Sequence, residues 1–197
     1  MDEVRTAYSN RAEEYSRLLG SIDSAHPSDL HLVTQWATAI DGPVIDVGCG
    51  PGQWTDYLAA RGCDVRGIDP TPAFIEHAHT AHPDCRFDVG TAENLDAASG
   101  SIAGILSWYS LIHHTPGSVH VPLKEFARAL RPGGSLVIGF FESPVLEPFD
   151  HKVVTAYRWP VPELSARVID AGFEVVETHT RTGVGYRPHG AIVAVRS

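Results

Sequence analysis

From Val44 to Gly52 the chain reads Val-Ile-Asp-Val-Gly-Cys-Gly-Pro-Gly, a short apolar run closed by an acid and glycines at 48, 50 and 52. Alternate glycines remove Cβ atoms where the chain must bend sharply, so the backbone can lie against a ligand without steric penalty. Asp46, at the carboxyl end of this strand, can accept hydrogen bonds from a cation or a hydroxyl. The spacing speaks to the kind of ligand. A dinucleotide fingerprint needs Gly-x-Gly-x-x-Gly to bring a pyrophosphate onto a helix N-terminus. Here Gln53 occupies that third place and Gly52 comes one residue early.

A second apolar segment, Val65-Arg66-Gly67-Ile68-Asp69, also ends in an acid. In a doubly wound sheet it runs beside the first strand, and its terminal carboxylate suits the hydroxyls of a ribose lying across the strand ends. A nicotinamide-dependent enzyme would want the same acid, so Asp69 alone does not separate the two ligands. Downstream come Phe87-Asp88-Val89-Gly90-Thr91-Ala92-Glu93-Asn94-Leu95 and then Ile105-Leu106-Ser107-Trp108-Tyr109-Ser110-Leu111-Ile112-His113-His114. The segment Phe126-Ala127-Arg128-Ala129-Leu130-Arg131-Pro132-Gly133-Gly134 follows them.

Together these segments resemble class I S-adenosylmethionine-dependent methyltransferases. The resemblance spans about residues 44–141 and weakly the rest: the glycine run is similar to motif I, 105–114 to motif IV, and the Pro-Gly-Gly to the turn before the fifth strand. It implies a Rossmann-like doubly wound α/β fold, a seven-stranded sheet that is mostly parallel with an antiparallel last strand. It also implies S-adenosylmethionine as methyl donor and S-adenosylhomocysteine as product. Carried over by position, Asp46, Gly48, Cys49, Gly50 and Gly52 wrap the amino-acid end of the donor, and Asp69 with Pro70 and Thr71 holds its ribose. Thr91, Ala92 and Glu93 meet the adenine, with Ser107 at the end of the fourth strand. Thr91 stands where the family usually has Asp, which shifts adenine recognition toward the Ala92 amide and apolar walls. Cys49 is read as a small turn residue, not a nucleophile.

The methyl of such a donor is already activated, so the protein's main task is alignment. A hydroxyl acceptor would call for a base, and His113 and Glu142 are the placed candidates. The Asn-Pro-Pro-Tyr of nucleic-acid amino-methyltransferases is absent, with Ser107-Trp108-Tyr109-Ser110 in its place. The expected activity is therefore methyl transfer to a small molecule. Alternatives are a nicotinamide-dependent oxidoreductase, disfavoured by Gln53, and a non-catalytic S-adenosylmethionine-binding protein.

For the acceptor, the segment Arg181-Thr182-Gly183-Val184-Gly185-Tyr186-Arg187-Pro188-His189 is expected at the cleft mouth. Arginine's planar fork matches carboxylate or phosphate. Arg181, Arg187 and Arg158 are thus the expected anion-binding residues, with Trp108, Tyr109 and Phe141 as apolar walls. Tyr8 and Tyr15 sit on an opening helix over 4–19 that either packs as an ordinary amphipathic face or folds over the donor as a lid.

The elements positioning these residues alternate in type, which argues for a parallel sheet covered on both faces. Helices are expected over 29–40, 53–61, from the Thr71 N-cap to 82, up to 130, and over 162–171 with a stop at Gly172. Strands are expected over 102–108 and 135–141, followed by a proline-bearing stretch over 142–160. An antiparallel final pair covers 173–178 and 191–195. The 197 residues, 43% hydrophobic, suit one domain over 1–197.

Fifteen Lys and Arg against 24 Asp and Glu give a net charge of −9, a poor match for nucleic-acid phosphates. No apolar run approaches a bilayer span, and the start Met1-Asp2-Glu3 is acidic where a signal peptide is basic, so a cytoplasmic protein without membrane partners is expected. The cysteines at 49, 63 and 85 lack metal or disulfide spacing, and His77, His79 and His82 lack the i, i+4 spacing of helical metal ligands. No metal is expected. The sequence leaves the oligomeric state open.

Overall fold

The computed structural model describes residues 20–151, 155–183 and 186–197. The opening helix, with Tyr8 and Tyr15, lies outside them. Strand β1 (Val44–Val47) is buried along its whole length, as a strand covered on both faces must be. Its alternate side chains serve opposite layers: Val44 joins Val33, Trp36 and Leu58 on one side, while Ile45 joins Leu123, Phe126 and Val168 on the other. The first layer contains helix α1 (Pro27–Thr38) and helix α2 (Gln53–Ala59). The second contains α4 (His120–Ala129) and α5 (Val161–Asp170). Helix α3 (Pro72–Ala81) presses Ile75 and Ala78 onto Cys49 and Phe87.

The main run of strands is β3 (Arg86–Val89), β2 (Val65–Asp69), β1, β4 (Ile102–Trp108) and β5 (Leu130–Glu142), all parallel. Strand β9 (Tyr186–Arg196) joins β5 antiparallel, and β8 (Phe173–Gly183) closes that edge antiparallel to β9. These seven strands are the expected, mostly parallel set with its reversed last strand, and two further strands bring the sheet to nine among the described residues. Strand order reverses between β1 and β4, so the glycine turn after β1 opens at the switch point where such sheets bind ligands.

Two expectations need correction. The proline-bearing stretch is not a plain loop: β6 (Glu147–Asp150) and β7 (Thr155–Trp159) form a hairpin there, and β7 pairs parallel with the end of β5 through Phe141↔Arg158 and Glu142↔Trp159. Pro148 is tolerated because β6 is an edge strand. The final hairpin is also several residues longer at its tip than the apolar pattern suggests, because polar residues from His179 to Gly183 continue the pairing beyond the core. Helix ends follow local chemistry. Pro27 and Pro72 start α1 and α3, and Gly172, at φ 99°, follows α5 in the left-handed C′ position. Thr71 is the N-cap of α3, but its side chain makes no capping bond.

Candidate active site

All three motif glycines lie in the left-handed region, with φ of 71° at Gly48, 54° at Gly50 and 93° at Gly52. Their surroundings differ. A Cβ on Gly48 would stand 2.3 Å from the Ser110 Cβ, and one on Gly52 2.7 Å from the Phe87 ring, so these two permit close chain packing. A Cβ on Gly50 would meet nothing within 4 Å among the described residues. That open space belongs to a cavity of about 510 Å³. On one side its wall is Asp46, Gly48, Gly50 and Gln53, and on the other Trp108, Tyr109, Phe141 and His151.

The strand-end acids are held by the turn itself. Asp69 accepts from the Gly50 amide at 3.1 Å and the Thr71 amide at 2.8 Å, and Asp46 accepts from the Thr55 hydroxyl at 2.7 Å. Burial pushes the Asp46 carboxyl up to about 7, opposed by the Thr55 bond and reinforced by the charge on Asp69. It pushes Asp69 up to about 6, against the two amide bonds. A cationic group entering beside Asp46 would offset its desolvation. Gln53, a residue of the same wall, keeps its side-chain oxygen buried without a hydrogen-bond partner among the described residues. A cradle open at Gly50, a buried acid and an unsatisfied acceptor fit the charged amino-acid end of a sulfonium nucleoside.

Other expected site residues take different places. Ser107 is wholly buried and bonded to Ser110 at 2.6 Å, so it supports the Gly48 turn from behind. Glu93 accepts from His114 Nε2 at 2.9 Å, a bond that holds its carboxyl down near 2 and turns it away from the cavity. Thr91 bridges to Asn94, beside the buried Ala92. None of Asp69, Thr71, Thr91 and Ala92 lines the cavity.

The two proposed bases move out of the wall. His113 donates from Nδ1 to the Thr155 carbonyl at 2.9 Å, and burial lowers its pKa. It stacks edge-on behind His151, which lines the cavity in its stead. Glu142 is tied into the β5–β7 pairing and also lies outside the wall. Arg181 does reach the cavity, but its guanidinium is taken: it donates to both oxygens of Asp29, at 3.0 Å to Oδ2, and to Ser28 Oγ at 2.6 Å. Arg187 is exposed and lies over the rings of Phe141 and Phe149, at 5.5 and 5.3 Å. Arg158 bridges to Glu147 at 3.0 Å while stacking on Phe149 at 4.5 Å.

Sequence reasoning missed Asp29, His151, Trp54 and the 21–27 segment, which also line the cavity. Asp29 carried one readable signal, an acid in the first turn of a helix behind Pro27.

Residues 44–134 match the family model described as a methyltransferase domain. An uncharacterized methyltransferase from Synechocystis is 29% identical over 149 residues, covering 71% of this chain and 70% of that one. The 2-heptyl-1-hydroxyquinolin-4(1H)-one methyltransferase of Mycobacteroides abscessus is 27% identical over 183 residues, with 83% and 79% covered. The chain spans only 49% of the length of methyltransferase relatives from Mycobacterium. Among solved structures, the 1,6-didemethyltoxoflavin-N1-methyltransferase of Burkholderia thailandensis superimposes with a TM-score of 0.83 at 20% identity, covering 100% of this chain and 88% of that one. The switch-point glycine turn falls within the matched residues, and the chain is similar to class I S-adenosylmethionine-dependent methyltransferases in sequence and fold.

Proposed function

We propose that the protein moves the methyl group of S-adenosylmethionine to a small, flat, hydroxylated acceptor carrying an anionic edge. The observation that carries this reading is the single cavity shared by the glycine turn and an aromatic wall of Trp108, Tyr109, Phe141 and His151. In this reading Asp46, Gly48, Cys49, Gly50 and Gly52 take the donor's amino-acid end. Asp69, Pro70 and Thr71 take its ribose, and Thr91 and Ala92 its adenine. Bound S-adenosylmethionine supplies a methyl already activated by its sulfonium. The chain's own work is to exclude water, align the acceptor behind the methyl carbon and present aromatic faces to the positive charge.

Arg187 and Arg158 lie outside the cavity wall, but Arg187 stands over its Phe141 and over Phe149, and we assign it to the acceptor's anionic edge, with Arg158 on the same Phe149 ring. The domain is read as single, acting in the cytoplasm without nucleic-acid or membrane partners. The net charge of −9 supports the part of this that concerns nucleic acid, and among the described residues no helix is long and apolar enough to cross a membrane.

The test is thermal shift with S-adenosylmethionine, S-adenosylhomocysteine and NAD(H), then methylation of a panel of hydroxylated heteroaromatics. The panel begins with 2-heptyl-1-hydroxyquinolin-4(1H)-one, from the name of the Mycobacteroides relative. Stabilisation by both S-adenosyl compounds and not by NAD(H), with methylated product, is expected. Stabilisation by NAD(H) alone would return the chain to oxidoreductase chemistry, and binding without any product would leave a non-catalytic binding protein.

A further inference from the structure

Tyr109 has φ 59°, and among the described residues it alone departs from glycine in adopting positive φ. Such backbone strain persists only where neighbours impose it, and it clusters at functional sites. The neighbours here are identifiable. The Tyr109 amide donates to the Gly139 carbonyl at 2.9 Å, and its hydroxyl bonds the Nδ1 of His189. His189 is only 3% exposed, and its Nε2 faces Asp29 Oδ1 at 3.7 Å. Asp29 is in turn clamped by Arg181. The order Tyr109–His189–Asp29–Arg181 thus joins β4, β9, α1 and β8, and three of its members, Tyr109, Asp29 and Arg181, line the cavity. The carboxylate facing Nε2 favours the tautomer with its proton there, which leaves Nδ1 to accept from the Tyr109 hydroxyl.

We propose that Tyr109 is a catalytic residue that passes the acceptor's proton to His189 during methyl transfer, with Asp29 and Arg181 as positioning residues. This rests on the methyltransferase reading above. The acceptor oxygen donates its proton to Tyr109 Oη as the Tyr109 proton moves to His189 Nδ1. Concurrently an oxygen lone pair forms the bond to the methyl carbon, and the carbon–sulfur bond pair returns to sulfur. One positive charge leaves the sulfonium and one arises on His189, so the net charge of the site is unchanged in a setting where net charge is costly.

The groups facing His189 are Asp29 and His26 from α1 and its cap, Arg181 and His179 from β8, and Tyr109 from the end of β4. Burial lowers the His189 pKa to about 4, with Asp29 opposing and Arg181 reinforcing, so at neutral pH the ring is in its proton-accepting form. Burial also raises the Tyr109 pKa, which keeps its hydroxyl protonated and makes it a relay, not a phenolate base.

Two arms test this. Without turnover, the proton NMR spectrum should hold one far-downfield, exchange-protected resonance that Tyr109→Phe and His189→Asn both abolish, each variant binding S-adenosylhomocysteine within threefold of the parent. With turnover, the acceptor is the best hydroxylated heteroaromatic from the panel. Parent kcat should be flat from pH 6 to 9. His189→Asn should fall at least tenfold at pH 7 with KM within threefold, its rate then climbing about tenfold per pH unit as the acceptor ionises unaided. A resonance absent in the parent or surviving either variant, a parental kcat in His189→Asn, or an equal loss on an acceptor already ionised at pH 7 would each overturn the proton path. Methylation with a parental His189→Asn rate removes this path alone, whereas no methylated hydroxyl compound removes it together with the acceptor class.

Discussion

The Gly50 amide donates to the Asp69 carboxylate at 3.1 Å, which makes the turn after β1 and the end of β2 a single unit. Asp69→Ala therefore removes more than a ligand contact, because the Gly50 and Thr71 amides lose their acceptor together. Calorimetry should show S-adenosylhomocysteine binding weakened by about 1.5–3 kcal/mol, the range for charged hydrogen bonds, with a lowered Tm. A folded variant with parental affinity would reject the ribose assignment.

Asp46 and Asp69 give the site a pH dependence of definite sign. Both carboxyls are raised by burial, to about 7 and about 6, so the folded protein holds these protons more tightly than the unfolded chain does. Their contribution to stability is complete below the ordinary carboxylate range and is lost as pH rises from about 4 through 7. A sulfonium beside Asp46 favours the ionised form. The Tm increase given by S-adenosylmethionine should thus be larger at pH 8 than at pH 5, and the difference should be smaller for the uncharged-sulfur product. Equal increments at both pH values by scanning fluorimetry would contradict this.

The glycines of the turn separate folding from binding. Gly48→Ala forces a Cβ onto Ser110 at 2.3 Å between backbone-anchored atoms, so it should destabilise the protein by several kcal/mol through overpacking and φ strain. Gly50→Ala meets open space among the described residues and carries the strain of φ 54°, about 1 kcal/mol. Its methyl points where the donor would lie, so affinity should fall at least tenfold while Tm drops little. Comparing the two Tm values with the two dissociation constants decides the matter.

The glycine turn and both strand-end acids were legible because their signals are local: Cβ-free positions at a bend and a carboxylate at a strand's end need only a few residues to declare themselves. The β6–β7 hairpin was hidden by Pro148 and by its charged, half-buried composition, since its pairing is set by the end of β5 and not by its own alternation. Nothing in Trp108-Tyr109-Ser110 requires positive φ at Tyr109. That conformation is imposed by Gly139 and by His189, 80 residues away. Arg181 read as a free cation for the same reason, its partner Asp29 being 152 residues distant. His113 looked catalytic from its place after β4, yet the hairpin that sequence missed captures it through Thr155. Accordingly, His113→Ala should leave kcat within about twofold in the same methylation assay.

Methyl transfer should not depend on a metal ion. Among the described residues no three His, Cys, Asp or Glu side chains are grouped to hold one. Turnover of the panel acceptor should survive EDTA, and a loss that magnesium or zinc restores would overturn the expectation.

The two arginines of the final hairpin should fail in opposite ways. Arg181 closes a largely buried pair with Asp29, which is 7% exposed, so Arg181→Ala strands a carboxylate beside Tyr109 and His189. Loss of one partner of a partly buried, bidentate pair should lower stability by about 1–3 kcal/mol, and Arg181→Lys should not restore it because an ammonium lacks the planar fork. Arg187 is exposed and, among the described residues, lies over the rings of Phe141 and Phe149, so Arg187→Ala should change stability by less than about 0.5 kcal/mol. Instead it should raise the acceptor KM at least fivefold with kcat and donor affinity unchanged. Inorganic phosphate should compete with the acceptor, not with S-adenosylmethionine, in the parent and in Arg181→Lys, and should lose that competition in Arg187→Ala. An unchanged acceptor KM in Arg187→Ala would remove the anionic edge from the proposed acceptor and leave the aromatic wall as its only anchor.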